Sequence, residues 1–306
     1  MAGRKSVEFE SGNRGERCRG WLYEPGGTGP FPVVVMAHGL GGIKEMRLDA
    51  YAQRFCAAGY ACLVFDYRHF GTSDGFPRQL LDINRQLVDW ASAIAFAREN
   101  RNLRPNQVVL WGTSFGGGHV IFSAARDRTI AAAIAQCPFT DGVASVFALN
   151  LMSAVKVTVL ALCDVMRSLV GMAPVMVATA GPPGSAALMT ARDALGGYLA
   201  LVPDGSAFRN QVAARFGLNI IRYRPGRKAR DISCPTLFCV CETDSVAPAG
   251  PTKRYAKCAP KGEVCLYQAG HFDIYVGKDF EKVVADQLEF LQRHVPTKQR
   301  GEYVDV

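Results

Sequence analysis

The surroundings of one serine are typical of a nucleophile. Ser114 lies in "GTSFGGGH", directly after the apolar run of residues 108–111. A serine on a tight turn from a strand to a helix projects its hydroxyl above the sheet, and backbone segments approach so closely there that flanking positions need glycine. Residues 112–116 have this G-x-S-x-G pattern. The pattern predicts a nucleophile at Ser114; the alternative is a glycine-rich turn with an idle serine.

A serine hydroxyl needs a base to take its proton, and the base needs an acid to orient it. His271, in "YQAGHFDIY", follows the last predicted strand and lies at the same sheet edge as Ser114. We therefore expect His271 to be the base. The remaining histidines occupy positions that suggest packing, capping or loop roles: His38, His69, His119 and His294.

Three aspartates are candidates for the orienting acid. Asp244 follows the preceding strand in "FCVCETDSVAP", at the carboxyl edge of the sheet, and is the predicted partner of His271. Asp141, after the strand that ends near Cys137, is the alternative acid. Asp273 lies two residues beyond the histidine, and we expect it to be a loop residue.

A tetrahedral oxyanion needs hydrogen-bond donors that are already aimed at it. The backbone N–H of Phe115, next to the nucleophile, is the first predicted donor. The second is the backbone N–H of Leu40 in "AHGLGG", which follows the first predicted parallel strand and whose glycines let the loop bend toward a substrate. The alternative interpretation of "HGLGG" is an ordinary tight turn.

The elements that must position these residues follow from the apolar pattern. Short apolar runs alternate with helix-length segments, which is typical of parallel strands joined by crossover helices. The predicted parallel strands are residues 33–37, 62–65, 108–111, 131–135, 236–241 and 264–267. Helical spacing is found in residues 48–58, 80–98, 117–125 and 280–294. "SVEFE" and "RCRGWLYEP", on either side of "SGNRGE", predict an antiparallel hairpin at the N-terminus. The predicted fold class is α/β: a mostly parallel sheet with helices on both faces, whose ligands bind outside the carboxyl ends of the strands.

Residues 140–230 interrupt this alternation. The sequence predicts a core of residues 1–139 and 231–306 and a helical lid, or cap, of residues 140–230 inserted before the last two strands. Lys156, Asp164 and Arg167 break the long apolar run of this region, so we expect no membrane span. The lid should be apolar toward the site, give a hydrophobic pocket, and divide in two at residues 181–184. Ordinary core packing would use the same residues.

Composition limits the possible partners. The chain has 306 residues, 49% of them hydrophobic, which suits one large core with an insertion. The net charge of +8 is mostly dispersed, and no nucleic-acid-binding motif accompanies it. The segment "RYRPGRKAR", residues 222–230, is either a solvated turn or an anion-binding patch. Ten cysteines without an export signal predict reduced thiols and a cytoplasmic location, and no spacing indicates a metal site or a cofactor.

Five segments together resemble the α/β-hydrolase superfamily: "VVVMAHGLGG", "GYACLVFDYRHFGTSDG", "GTSFGG", "PTLFCVCETDSVAP" and "AGHFD". The resemblance covers nearly the whole chain outside residues 140–230. "FDYRHFGTSDGFPRQ" is similar to the branch that holds bacterial serine hydrolases related to X-Pro peptidase-type acyl hydrolases and fungal polyketide transferases. The order Ser114, Asp244, His271 is that of the triad in this superfamily.

The resemblance implies acyl transfer from an ester, thioester or amide. With the intact triad pattern, we expect a serine hydrolase that cleaves a carboxylic ester through an acyl-enzyme and acts on a small, lipophilic acyl substrate. One alternative is an acyltransferase or thioesterase in polyketide or secondary metabolism. Another is a ligand-binding protein without turnover. The oligomeric state is left open, with a homodimer among the possibilities.

Overall fold

The strands form two sheets. The structure is a computed structural model that describes residues 3–12 and 15–297. Its strands are β1 (Gly3–Glu10), β2 (Arg17–Glu24), β3 (Phe31–Ala37), β4 (Ala61–Phe65), β5 (Leu103–Thr113), β6 (Ala132–Gln136), β7 (Met176–Ala180), β8 (Ala187–Met189), β9 (Val212–Ala213), β10 (Thr236–Cys241) and β11 (Gly262–Tyr267). The main sheet has the order β1-β2-β4-β3-β5-β6-β10-β11, and the small sheet has the order β8-β7-β9.

The main sheet confirms the predicted fold class. Strands β3, β4, β5, β6, β10 and β11 are parallel, whereas β1 and β2 form an antiparallel hairpin whose second strand pairs with β4. The central parallel strands are buried almost throughout. They therefore appear in the sequence as unbroken apolar runs, which is what made them recognisable. The predicted hairpin turn includes residues 13–14, which lie outside the described residues.

Helices cover the main sheet and build the insertion. They are α1 (Leu48–Ala57), α2 (Ile83–Glu99), α3 (Phe115–Arg126), α4 (Gly142–Phe147), α5 (Leu151–Leu169), α6 (Ala194–Leu199), α7 (Phe216–Asn219), α8 (Ala249–Ala256) and α9 (Gly277–His294). Helices α1, α2, α3 and α9 match the predicted ones within a few residues at each end. The sequence prediction missed α8, because Gly250 and Pro251 in its first turn obscure the helical pattern.

The region of residues 140–230 differs from the predicted bundle of helices. It contributes no described strand to the main sheet, and it contains a small sheet as well as helices α4 to α7. Residues 181–184 lie in the turn between β7 and β8 instead of separating two helical halves. The expectation that the apolar side faces the site is wrong for α5, whose Leu162, Met166 and Leu169 are exposed. Within residues 3–12 and 15–297, no helix is both long and apolar enough to cross a membrane.

A buried ion pair fixes α5 to the rest of the insertion. The Asp164 carboxylate is buried and accepts hydrogen bonds from Arg215 Nε (2.7 Å) and Nη2 (2.9 Å) and from the backbone N–H groups of Arg215 (2.9 Å) and Val175 (2.8 Å). Burial acts to raise the pKa of Asp164, but the hydrogen bonds from Arg215 and Val175 outweigh it and hold the pKa below its usual value. One carboxylate thus ties together α5, β7 and the segment before α7.

We expect Asp164→Ala to lower the free energy of unfolding by about 3 kcal/mol, because it leaves buried donors and the Arg215 cation without their partner. Urea denaturation measures the loss. Asp231→Ala is the matched control, since Asp231 forms an exposed pair with Lys228 and its loss should cost under about 0.5 kcal/mol. Equal losses in the free energy of unfolding would show that the buried pair stabilises the fold no more than the exposed pair does.

Candidate active site

Ser114 occupies a strained turn between β5 and α3. Its backbone has φ 54° and ψ −119°, a conformation that residues other than glycine rarely adopt. The backbone N–H of Ser114 donates to Gln136 O (2.8 Å), and its carbonyl accepts from Gly118 N (3.3 Å) and Phe139 N (2.9 Å). The bonds to Gln136 and Phe139, at the end of β6 and just after it, hold the turn in place. Strain that is fixed from outside in this way is typical of functional positions.

Two glycines of the G-x-S-x-G pattern are required by close backbone contacts. A Cβ atom at Gly112 would lie 2.3 Å from Gly116 O, and one at Gly116 would lie 2.5 Å from His38 O. Both distances are far below a van der Waals contact. The start of α3 therefore packs directly on the end of β3, and this contact brings the serine next to the "HGLGG" loop.

The structure brings together the three residues predicted as a triad. His271 Nε2 lies 3.0 Å from Ser114 Oγ, and His271 Nδ1 lies 2.7 Å from Asp244 Oδ2. The imidazole and the carboxylate are almost completely buried. Asp244 Oδ1 accepts from the backbone N–H groups of Val246 (2.8 Å) and Ala247 (2.6 Å), which fixes the carboxylate. Ser114, His271 and Asp244 thus form one continuous hydrogen-bonded chain.

The charge of Asp244 sets the ionisation of His271. Burial acts against the imidazolium, but the carboxylate of Asp244 stabilises it and raises the pKa of His271 well above its ordinary value. An imidazole in this setting accepts a proton readily from a neighbouring hydroxyl. It can do so only when it is neutral, that is, above its own pKa.

The other two aspartates are engaged elsewhere. Asp141 caps α4 by accepting from Val143 N (3.0 Å) and pairs with Arg224 Nη2 (2.7 Å) and Tyr255 OH (2.7 Å). Asp273 accepts from Gly270 N (2.7 Å) within its own loop. Neither forms a hydrogen bond with His271 in the described part of the chain, so the geometry favours Asp244 over the alternatives.

The remaining histidines have other partners. His119 contacts Tyr223 OH (2.7 Å) and Gln86 Oε1 (2.8 Å), and burial, together with nearby His38, lowers its pKa to about 3. His69 Nδ1 lies 2.9 Å from Pro77 O. His294 Nε2 lies 2.6 Å from Glu263 Oε1, so it contacts a carboxylate in addition to its place near the end of α9.

The loop that carries Leu40 lies against Ser114. A Cβ atom at Gly39 would lie 3.0 Å from Ser114 Cβ, and Leu40, Ser114 and Phe115 line the same cleft. Tyr198 OH, from the insertion, donates to Leu40 O (2.7 Å). The sequence analysis missed Tyr198, because no local pattern relates a residue of α6 to a loop more than 150 positions earlier.

A buried ion pair supports the same loop from the sheet side. Lys44 Nζ donates to Asp66 Oδ2 (2.6 Å) and Thr72 Oγ1 (2.9 Å), and Lys44 N donates to Asp66 Oδ1 (2.7 Å). Burial acts to lower the pKa of Lys44, but Asp66 raises it and keeps the ammonium charged. The "FDYRHFGTSDG" segment therefore positions the loop after β3, a role that its sequence alone did not indicate.

Two clefts meet at the serine. The larger, of about 570 Å³, is mainly apolar, and its walls include Phe139, Val146, Leu149, Leu188, Met189 and Ile220. The smaller, of about 390 Å³, is lined by residues that include Met46, Tyr198, His271 and Phe272. Leu40, Ser114 and Met189 border both clefts. A substrate could thus place one group on each side of its reacting carbonyl.

One set of possible metal ligands is found in the described residues, and it overlaps the triad. Cys137, Asp244 and His271 have ligand atoms within 4.8 Å of one another. His271 Nδ1 and Asp244 already hydrogen-bond to each other, and the triad accounts for their proximity. All ten cysteines are free thiols.

Comparison with known proteins identifies the family. Residues 34–286 match the model of the alpha/beta hydrolase family. This range includes the small sheet, the main sheet from within β3 onward, and all three residues of the predicted triad. The chain belongs to the α/β-hydrolase family. The match confirms the resemblance that the sequence motifs indicated.

Several relatives cover almost the whole chain. The quorum-quenching protein AidA of Acinetobacter baumannii (strain MDR-ZJ06) is 56% identical over 292 residues, which is 95% of each protein. The polyketide transferase ATR5 of Stachybotrys chlorohalonatus is 29% identical and covers 95% of this chain and 97% of its own. The crystal structure of the alpha/beta hydrolase GrgF from Penicillium is 27% identical, with a TM-score of 0.80, and covers 95% of this chain and 99% of its own. The relatives of this chain therefore include proteins named as a quorum-quenching protein, a polyketide transferase and an alpha/beta hydrolase.

We expect Gly116→Ala to lower the free energy of unfolding by about 1–3 kcal/mol, because the added methyl group clashes with the backbone carbonyl of His38. The displaced serine should also reduce hydrolytic turnover by about 100-fold. Gly196→Ala in α6 is the control, since a Cβ atom there would meet nothing within 4 Å. Thermal melting and hydrolysis assays measure the two effects. Wild-type behaviour of the Gly116 variant would contradict the packing argument.

Proposed function

We propose that this α/β-hydrolase cleaves a carboxylic ester, or a related acyl compound, through an acyl-enzyme on Ser114. The observation that carries the proposal is the hydrogen-bonded chain from Ser114 through His271 to Asp244, which ends at two clefts. The catalytic roles of these residues rest on that geometry. No cofactor takes part in the proposed reaction.

The proposed mechanism has two matched halves. Ser114 Oγ bonds to the acyl carbon while His271 Nε2 takes the hydroxyl proton, and the electron pair of the carbonyl moves onto its oxygen. When the pair returns, the bond to the leaving group breaks, and His271 returns the proton to the departing alcohol. Water then attacks the acyl-enzyme, again with His271 as base, and releases the acid and Ser114. Asp244 holds the imidazole in the required tautomer and stabilises the imidazolium.

The developing oxyanion would be stabilised by backbone donors. We assign this role to the N–H groups of Phe115 and Leu40. Two observations support the choice. Both residues border the cleft beside Ser114. Hydrogen bonds from Tyr198 and between Lys44 and Asp66 fix the position of the Leu40 loop. Donors that need no reorganisation during the reaction contribute most to lowering the barrier.

The larger cleft favours a lipophilic acyl group. Its walls are mostly aliphatic and aromatic, and a cleft of about 570 Å³ suits a small molecule and not a polymer chain. One relative is named a quorum-quenching protein. We infer that a small signal molecule with an acyl bond would fit this cleft, and the proposed triad would cleave such a bond. Substrates of this kind are therefore the first to test.

Acyl transfer to an acceptor other than water is the second candidate function, and the name of the polyketide transferase relative favours it. Both reactions share the acyl-enzyme and differ only in the second nucleophile. A carrier that bears phosphate groups would need cations near the clefts, and the basic residues of segment 222–230 do not supply them. Arg227, Lys228 and Arg230 are exposed, and none of them lines either cleft.

We expect Ser114→Ala to keep the fold and to lose at least about 99% of acyl-ester cleavage, because the nucleophile is gone. A fluorophosphonate probe should label the wild-type chain at Ser114 and leave the variant unlabelled. Circular dichroism checks folding, and an ester series of increasing chain length, with and without an alcohol acceptor, separates hydrolysis from transfer. Labelling at another residue, or a variant that stays active, would refute the assignment.

We expect kcat/KM to fall as the pH drops through a midpoint above about 6.5, the ordinary pKa of histidine, because the raised pKa of His271 keeps the imidazole protonated to higher pH. Asp244→Asn removes the charge that raises this pKa. It should therefore move the midpoint to lower pH and reduce kcat by roughly 10³ to 10⁴. Asp141→Asn is the matched control and should change neither quantity. The reverse sensitivities would identify Asp141 as the acid.

A further inference from the structure

Helix α5 exposes its more apolar side. Its buried side consists of Ser153, Val157, Ala161 and Asp164, and two of these four residues are polar. Six apolar side chains on the opposite side, which we call the α5 seam, are between 52% and 74% exposed: Met152, Val155, Val159, Leu162, Met166 and Leu169. A surface helix normally has the opposite arrangement, with apolar residues inward and polar residues outward.

The spacing of the α5 seam is regular. Successive members are separated alternately by three and by four residues from Met152 to Leu169. This is the spacing of the a and d positions of a heptad repeat, which forms the contact line between two paired helices. A helix that packs on a broad apolar surface usually adds an e or g position to its stripe, whereas a stripe of a and d positions alone is the narrower seam of paired helices. The pattern therefore indicates a second helix as the occupant.

The exposed apolar surface is large enough for a stable contact. Neighbouring apolar side chains extend the α5 seam at both ends: Phe147, Leu151, Val170 and Met172. From their exposed fractions, the patch is on the order of 1,000 Å², compared with about 300–600 Å² for the largest patch of a typical monomer and about 800 Å² for each partner of a standard interface. The area thus suits a protein partner.

We propose that the α5 seam pairs with the same surface of a second copy of this chain. A two-fold axis would bring two identical seams face to face, so each apolar row would meet a row of matching spacing. The cations at the edges of α5 argue against an anionic membrane. Both cations bind backbone carbonyls of this chain: Lys156 Nζ donates to Gly184 O (2.8 Å), and Arg167 Nε donates to Ala173 O (3.0 Å). A helix that lies on a bilayer typically directs such cations toward lipid head groups instead.

The pairing would also stabilise one wall of the clefts. Helix α5 packs on β7 and β8, and Met189 at the end of β8 borders both clefts. The α5 seam itself contributes no residue to either cleft. Association can therefore be tested separately from the proposed chemistry.

Analytical ultracentrifugation across the micromolar range tests the proposal. We expect the wild-type chain to be a dimer and the double variant Val159→Glu, Leu162→Glu to be a monomer, with association weakened at least about 30-fold because carboxylates from both copies meet in an apolar contact. Val88→Glu is the matched control, since Val88 is an exposed apolar residue on a different helix, α2. It should leave the dimer intact.

Folding and alternative occupants are controlled separately. Near-ultraviolet circular dichroism checks the double variant. If it unfolds, Leu162→Glu and Leu162→Lys chains are prepared singly, and their mixture should associate more strongly than either alone.

Three results would overturn the proposal: a monomeric wild-type chain, a double variant that is folded and still dimeric, or a mixture that associates no more strongly than its components. A wild-type monomer that floats with phosphatidylcholine and phosphatidylglycerol vesicles would assign the face to a membrane and overturn it as well.

Discussion

The contact between Gly116 and the end of β3 is the constraint on which the site depends. Because Gly116 has no side chain, the start of α3 can approach the carbonyl of His38, where a Cβ atom would be 2.5 Å away. This approach places Ser114 at a positive φ angle and beside the loop that carries Leu40. The proposed nucleophile and its proposed oxyanion donor thus follow neighbouring strands, β5 and β3, and lie side by side before any substrate binds. The strain at Ser114 is balanced by bonds from its own backbone to Gln136 and Phe139.

Carboxylates hold the loops around this contact. Asp66 binds Lys44 below the Leu40 loop, Asp141 binds Arg224 at the start of the insertion, and Asp164 binds Arg215 within it. The carboxylate is buried in all three pairs, so removal of the cation is costly because it leaves a buried charge without its partner. The pairs therefore specify where each irregular segment lies more than they add to net stability. Long loops can be positioned in this way without the regular hydrogen bonds of a sheet.

Local patterns in the sequence predicted the main sheet, and they also predicted that the three residues of the proposed triad lie at one edge of it. Apolar runs identified the buried strands, and Ser114, Asp244 and His271 each follow such a run, so topology alone placed them at one edge. The choice of Asp244 over Asp141 could only be argued, since both follow strands. The roles of Tyr198 and Lys44 could not be predicted, because their contacts join segments that no local pattern connects. The small sheet was missed because its strands have only two to five residues each.

The insertion links substrate selection to the proposed transition-state stabilisation. Leu188, Met189 and Ile220 from this region form walls of the larger cleft, while Tyr198 from the same region holds the carbonyl of Leu40. A displacement of the insertion would widen the cleft and release the loop at the same time. Because the buried side of α5 includes Ser153 and Asp164, its attachment depends on directed polar bonds as well as on apolar packing. Such bonds define one position of the insertion closely, and the apolar residues of α5 remain available for contact with another surface.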